Sequence, residues 1–307
     1  MKILITGVAG FIGHHTALKL LKEGYEVIGI DNLNNYYDSN LKKYNLSLLN
    51  KFKKFIFEKG DIIESNCIDK YKPEKVIHLA AMAGVRYSLK NPKLYCRVNI
   101  EGTVNLLEQA KNNNVELFIY ASSSSVYGNK SGKFKESDVL KPPESIYAAT
   151  KRSKEMMADL YNRLYGLRVI GLRFFTVYGP RGRPDMAPRK FMEKIINEET
   201  IDKYGDGSSY RSYTYIDDIV DGIYNSLNSN LNNEILNLGN DKTVDLNTFI
   251  SKMEKACLKK AKINQMSEQI GDVNGTNADI SKSKRMINFN PKINLDEGLI
   301  RTFQQYI

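Results

Sequence analysis

Short apolar runs alternate with longer amphipathic stretches along the first 174 residues, which predicts repeated strand–helix–strand units around a mostly parallel sheet. Residues 2–6, 26–30, 54–58, 75–79, 116–121 and 168–174 read as strands. Residues 11–22, 41–49, 93–113 and 145–165 carry the three-and-four spacing of helices that cover such a sheet. Past Gly179-Pro180-Arg181-Gly182-Arg183-Pro184 the rhythm is lost. Turns are expected at Gly205-Asp206-Gly207 and Gly239-Asn240-Asp241, and one further helix at 247–260. The expected fold is α/β: a doubly wound parallel sheet over residues 1–180, then a smaller mixed part over 181–307.

Composition narrows the class without naming a function. At about 150 residues per domain, 307 residues make one large or two small domains. With 42% hydrophobic and 26% charged residues, disordered, collagenous and coiled-coil chains are excluded. The net charge of +10 favours an anionic partner. Cys67, Cys96 and Cys257 form no C-x-x-C pair, so no disulfide framework is expected and a reducing cytoplasm is. His14, His15 and His78 lack zinc-site spacing, so no metal is expected. His14 and His15 are expected on a helix surface, and His78 in a structural role at a strand end. Lys252, Lys255, Lys259 and Lys262 recur at three-and-four spacing and predict a solvated helix face. Gly7, Gly10 and Gly13 interrupt the apolar start, unlike a secretion leader, and no apolar run reaches the roughly 18 residues of a membrane span.

Chemistry enters with Thr6-Gly7-Val8-Ala9-Gly10-Phe11-Ile12-Gly13, where the first strand turns into the first helix. Glycines there let backbone N–H groups approach a pyrophosphate, and the helix start adds its positive dipole end. Asp31 ends the second strand eighteen positions beyond Gly13, near the roughly 20 expected for a carboxylate that binds adenosine ribose hydroxyls. Asn32, Leu33 and Asn34 bring no cation for a 2′-phosphate, so NAD is favoured over NADP. Asp61, near the end of the third strand, is placed to reach the adenine amino group. The first part is thus a Rossmann-like, NAD-binding domain.

Tyr147-Ala148-Ala149-Thr150-Lys151 opens a predicted helix, so Tyr147 and Lys151 share a face at i and i+4. A tyrosine with an ordinary pKa near 10 is a poor base at neutral pH, and an adjacent ammonium favours its phenolate. The same spacing recurs at Tyr71 and Lys75, but Pro73 intervenes and a strand follows, so that copy serves as a control for chance. Ser122-Ser123-Ser124-Ser125 follows the fifth strand, at the edge where open α/β sheets bind ligands.

Together the glycine motif, Asp31, Ser123, Tyr147 and Lys151 resemble the extended short-chain dehydrogenase/reductases that act on nucleotide sugars, over nearly the whole chain. The finer resemblance is to the UDP-glucuronate 4-epimerases. It rests on the runs Asp31 to Tyr37, His78 to Ser88, Arg173 to Pro180 and Gly182-Arg183-Pro184-Asp185-Met186-Ala187. The resemblance implies that Tyr147 is base and acid, that Lys151 orients the cofactor ribose and lowers the tyrosine pKa, and that Ser123 polarises the oxygen at C4. It implies cofactor contacts from Gly7, Gly10, Phe11, Ile12, Gly13, Asp31, Asn32, Asp61, Ile62, Leu79, Ala80, Ala81, Tyr147 and Lys151. Substrate contacts are implied for Arg86, Ser123, Ser124, Ser125, Thr176, Arg183, Arg211, Gln269 and Asp272, so that residues 181–307 form a nucleotide-sugar-binding part.

The implied reaction oxidises a UDP-sugar at C4 with bound NAD, rotates the ketone and returns hydride to the other face. Related dehydratases usually carry Thr-Asp-Glu where Ser123-Ser124-Ser125 stands, and decarboxylases a glutamate at the third position; neither acid is present. Arg181, where close relatives often have Trp, and Ser212, where an acid is common, depart from the pattern. The alternatives are a 4-epimerase of UDP-glucose or UDP-N-acetylglucosamine and, from another class, a non-catalytic RNA-binding or dinucleotide-binding scaffold. A homodimer is implied, with no nucleic acid, membrane or metal partner.

Overall fold

The computed structural model describes residues 1–268 and 274–307. The chain runs β1 (Lys2–Thr6), α1 (Phe11–Lys22), β2 (Glu26–Asp31), α2 (Ser39–Leu49), β3 (Phe55–Lys59), α3 (Cys67–Tyr71), β4 (Lys75–His78), α4 (Val85–Lys90), α5 (Pro92–Cys96), α6 (Gly102–Asn112), β5 (Leu117–Ser123), α7 (Ile146–Tyr165), β6 (Val169–Phe174) and β7 (Thr176–Tyr178). It continues through α8 (Ala187–Ile196), β8 (Thr200–Tyr204), β9 (Tyr210–Arg211), β10 (Tyr213–Tyr215), α9 (Ile216–Leu227), β11 (Asn233–Leu238), β12 (Val244–Asp245), α10 (Leu246–Cys257), β13 (Lys262–Met266), α11 (Ser281–Ile287) and α12 (Leu295–Phe303).

Among the described residues, seven strands form the central sheet in the order β11-β6-β5-β4-β1-β2-β3. The pairs from β3 through β5 are parallel, with Ile3 opposite Val27 on one side and Lys75 on the other. Continuous apolar strands are what a sheet covered on both faces requires, and Ile3, Leu4 and Ile5 are wholly buried. Burying each such side chain contributes about 1.5–3 kcal/mol. On α1, Phe11, His14, Ala17 and Leu21 face inward. His14 is therefore a core residue, not the surface residue expected, because its position shares the stripe of Ala17 and Leu21.

The expected helix over 93–113 is interrupted. Arg97–Glu101 forms a single π turn between α5 and α6, and it turns the side chain of Asn99 into the interior. The serine before α7 caps it: Ser145 Oγ accepts from the Ala148 N–H at 3.1 Å, and Gly166 ends the helix in the left-handed region at φ +71°.

The chain divides into two compact units that are not two consecutive lengths of chain. The first comprises residues Met1–Gly128, Leu140–Arg173 and Val220–Leu236, and contains most of the sheet and α1 to α7. Its core includes Leu4, Ile28, Val76, Leu106, Phe118 and Val169. The second comprises Asn129–Val139, Phe174–Ile219 and Asn237–Ile307, so the single boundary expected near residue 180 is replaced by several crossings. Within it β7 pairs with β10, β8 with β13 and β9 with β12, and Tyr213 stacks on Phe249 at 4.1 Å. The expected lysine face is also shorter than the spacing implied: α10 ends at Cys257, leaving Lys259 and Lys262 beyond it.

Candidate active site

The turn after β1 is shaped by glycines at two positions. Gly7 has φ +74°, and a Cβ there would lie 2.8 Å from the Ala80 nitrogen. A Cβ on Gly13 would lie 2.1 Å from the Gly7 carbonyl oxygen, so only glycine lets α1 start this close to the turn. At the start of α1, Gly10 supplies no side-chain cap and the first turn holds no acid. That leaves N–H groups and a positive dipole end suited to phosphate oxygens. Phe11 is buried within α1, and Ile12 is half-buried beside it.

Asp31 ends β2 with one carboxylate oxygen turned to this region and the other to its own loop. One accepts from the Ala9 N–H at 3.1 Å and the other from the Leu33 N–H at 2.8 Å. Burial raises its pKa above the ordinary carboxylate value, against the N–H groups and the charge of Lys42. Asn32 and Asp61 come together as expected residues of one site, with Asn32 Nδ2 donating to Asp61 Oδ2 at 2.9 Å. The other Asp61 oxygen accepts from the Ile63 N–H at 3.0 Å, beside buried Ile62. After β4, the Ala80 N–H donates to Thr6 Oγ1 at 3.2 Å, which ties the Leu79-Ala80-Ala81 segment to the end of β1. This turn, its helix start and the buried acid fit a dinucleotide.

Tyr147 and Lys151 sit one turn apart on α7, and the Lys151 ammonium lies 5.6 Å from the Tyr147 ring centroid. Lys151 is buried and donates to the Ala121 carbonyl at 2.9 Å, which fixes the cation against β5. Ser123, the last residue of β5, accepts at Oγ from the Ser125 N–H at 3.1 Å and contacts Ser125 Oγ at the same distance. Ser124 and Ser125 open the short turn that follows. Ser122 instead donates to Glu155, which is paired through both oxygens with buried Arg173.

Two residues of this region were not anticipated. Asn99 Oδ1 accepts from the Met82 N–H at 2.8 Å, while its Nδ2 donates to the Met82 carbonyl and to Thr150 Oγ1 at 2.9 and 3.0 Å. It thereby joins the segment after β4 to the turn of α7 that bears Lys151. Lys154, wholly buried three residues after Lys151, bonds His78 Nε2 at 2.8 Å. His78 Nδ1 reaches Thr6 Oγ1 at 2.8 Å. Burial, and then the nearby charge of Lys151, hold the Lys154 pKa well below its ordinary value. Burial likewise lowers the His78 pKa well below its ordinary value, with Lys154 and Lys151 acting in the same sense. The seven-residue offset of Lys154 from Tyr147 was the available signal, since it marks the same helix face.

The remaining expected residues are placed separately. Arg86 is exposed on the first turn of α4, in the first unit. Thr176, Arg183 and Arg211 belong to the second unit. Thr176 begins β7 opposite Tyr213. Arg183 is paired with Asp185, Nε to Oδ1 at 3.0 Å and Nη2 to Oδ2 at 2.5 Å. Arg211 donates to the Tyr210 carbonyl at 2.8 Å. Gln269 and Asp272 lie outside the described residues.

Residues 3–239 match the NAD dependent epimerase/dehydratase family, and the chain belongs to that family. Among its relatives is the UDP-glucuronate 4-epimerase of Thermodesulfobacterium geofontis, 45% identical over 304 residues that cover 97% of this chain and 94% of that protein. The UDP-glucuronic acid 4-epimerase of Bacillus cereus, solved with UDP-glucuronic acid and NAD, superposes with a TM-score of 0.95 at 37% identity, covering 99% of this chain and 98% of that one. A UDP-glucose 4-epimerase of Thermotoga maritima gives 0.91 at 31% identity, covering 100% and 98%.

Proposed function

We propose that the chain is an NAD-dependent 4-epimerase that interconverts UDP-glucuronate and UDP-galacturonate. The observation that carries this reading is the full-length likeness to an enzyme solved with that sugar nucleotide and NAD. The glycine turn and Asp31 would hold NAD, which when bound would supply a hydride acceptor that is regenerated in each turnover. Tyr147 takes the proton from the C4 hydroxyl and later returns it. Lys151, fixed on the Ala121 carbonyl, favours the phenolate that the first transfer needs. Ser123 hydrogen-bonds the reacting oxygen. The absence of carboxylates at 123–125 supports epimerisation over elimination or decarboxylation.

Following UDP-glucuronate by proton NMR with the purified protein and no added NAD tests the reading. UDP-galacturonate is the expected product; a UDP-pentose, or no change after NAD is supplied, overturns it. A second reading, epimerisation of neutral UDP-sugars, is favoured by the Arg183–Asp185 pair, which gives that guanidinium a carboxylate of its own.

The finer properties belong to the same proposal. The enzyme works as a homodimer, supported by the exposed row Met156, Leu160 and Leu164 on α7. Sedimentation shows a monomer if this is wrong. The three unpaired cysteines support a cytoplasmic location. Among the described residues no helix is long and apolar enough to cross a membrane.

A further inference from the structure

A 4-epimerase that regenerates its own NAD has to hold the dinucleotide between the two halves of the turnover, since early loss leaves the sugar as a ketone. The sheet order gives the chain a means to do so. Strand β1 lies between β2 and β4, and all three are parallel, so the segments after them leave the sheet at one edge. The glycine turn after β1 is therefore flanked by the segments after β2 and β4. Tyr36 comes from the first of these and Tyr87 from α4, beyond the second. Their rings meet edge to face with centroids 5.0 Å apart. In the order of the strands, that contact spans the position of β1.

We propose that Tyr36 and Tyr87 form a strap across the dinucleotide turn that slows release of NAD. The need for such a strap rests on the epimerase reading; its geometry does not. Each end is anchored. On the β2 side, Asn34 Oδ1 accepts from the Tyr36 N–H at 3.2 Å and from Lys42 Nζ at 3.0 Å, and Asn34 in turn donates to Asn32. Tyr36 packs against the main core of the first unit. On the β4 side, the Tyr87 ring stands 6.3 Å from that of Tyr95, whose hydroxyl reaches the carbonyls of Ala83 and Gly84 at 2.8 and 2.9 Å. Tyr95 also stands 6.3 Å from Tyr147, so the strap ends in the aromatic row that contains the proton-transfer tyrosine. The two halves differ in freedom: Tyr36 is half-buried, whereas Tyr87 is 37% exposed on a six-residue helix. Tyr87 is the half that lifts.

The test loads the wild type, Tyr87→Ala, Tyr36→Leu and the double variant with NADH, adds excess NAD and follows the loss of bound NADH fluorescence. Each single change should speed release about 3- to 10-fold, the worth of one aromatic pair. The double variant should release no faster than the faster single, because both changes break the same contact. Tyr87→Ala also removes the ring contact from the NAD-free protein, so its thermal midpoint should fall by about 2–4 °C. Tyr71→Phe, which loses a comparable contact away from the strap, should leave NADH release unchanged, which a merely structural role for Tyr87 would not allow. Unchanged release from Tyr87→Ala, or single effects that multiply fully in the double variant, overturns the proposal. A wild type that holds NADH but leaves UDP-glucuronate untouched removes only the sugar reading, with the release rates still deciding the strap. A wild type that binds no NADH overturns both.

Discussion

The chain contains the spacing Tyr-x-x-x-Lys twice in its first unit, and the two copies share nothing but the count. Tyr147 and Lys151 lie on one helix, and the helical turn brings the ammonium beside the ring. Tyr71 ends α3 and Lys75 begins β4, so the same four-residue step spans a helix end, Pro73 and a strand start. There the side chains go separate ways: the Tyr71 hydroxyl donates to Glu58 at 2.7 Å, and buried Lys75 donates to the Leu227 carbonyl at 3.0 Å. A spacing acquires chemical meaning only from the backbone geometry that converts it into a distance. In the first copy it places a cation by a phenol; in the second it fastens two elements of the core.

The contrast is breakable. Tyr147→Phe should cut the rate of UDP-galacturonate formation by about a thousandfold, whereas Tyr71→Phe should leave it unchanged; comparable losses from the two would erase the distinction. Lys151→Met should lower turnover by about a hundredfold by removing the charge that favours the phenolate. Lys75→Met should leave turnover intact.

A third lysine sharpens the point, because Lys154 is on the face of Tyr147 yet behaves as core. Its folded pKa lies well below that of the unfolded chain, so between the two values only the unfolded chain holds the proton. Wild-type stability therefore rises with pH across that window, with the penalty fullest below the folded value. Lys154→Met should stabilise the protein at neutral pH by about 1–3 kcal/mol, the cost of burying a poorly satisfied polar group. Urea unfolding of the two proteins should converge as pH climbs towards the unfolded lysine value, about 10.4; a constant difference would show that burial does not lower the Lys154 pKa. The smallest effect belongs to Tyr71→Phe, a loss of about 1 kcal/mol or less from its bond to Glu58, read as a shift in the urea midpoint.

Much of the first unit was legible because its strands are uninterrupted apolar runs. Strand β1 and helix α1 occur at the expected residues, and other strand ends differ by one or two positions. Gly7 and Gly13 were legible as turn glycines because backbone conformation and close approach leave few residue types possible. Asn99 was not, since an added residue in a helix leaves no mark in the apolar spacing. Lys154 and His14 escaped because polar residue types are counted as exposed until their neighbours show otherwise. Strand β11 begins with Asn233 and Glu234 and was missed, although Leu236 and Leu238 are wholly buried. The pairing of Arg183 with Asp185 was within reach, as only Pro184 separates them.

The position of β11 at the margin of the sheet also orders events during synthesis. Strand β6 is complete at Phe174, but its outer neighbour arrives only with residues 233–238. A nascent chain thus spends some sixty residues of translation, roughly 3–12 s at typical ribosome speeds, with the backbone groups along one side of β6 unpaired. Such a margin is a template for joining another chain. Chains stalled or truncated near residue 180 would keep it open, which makes β6 the place where aggregation of incomplete chains should begin.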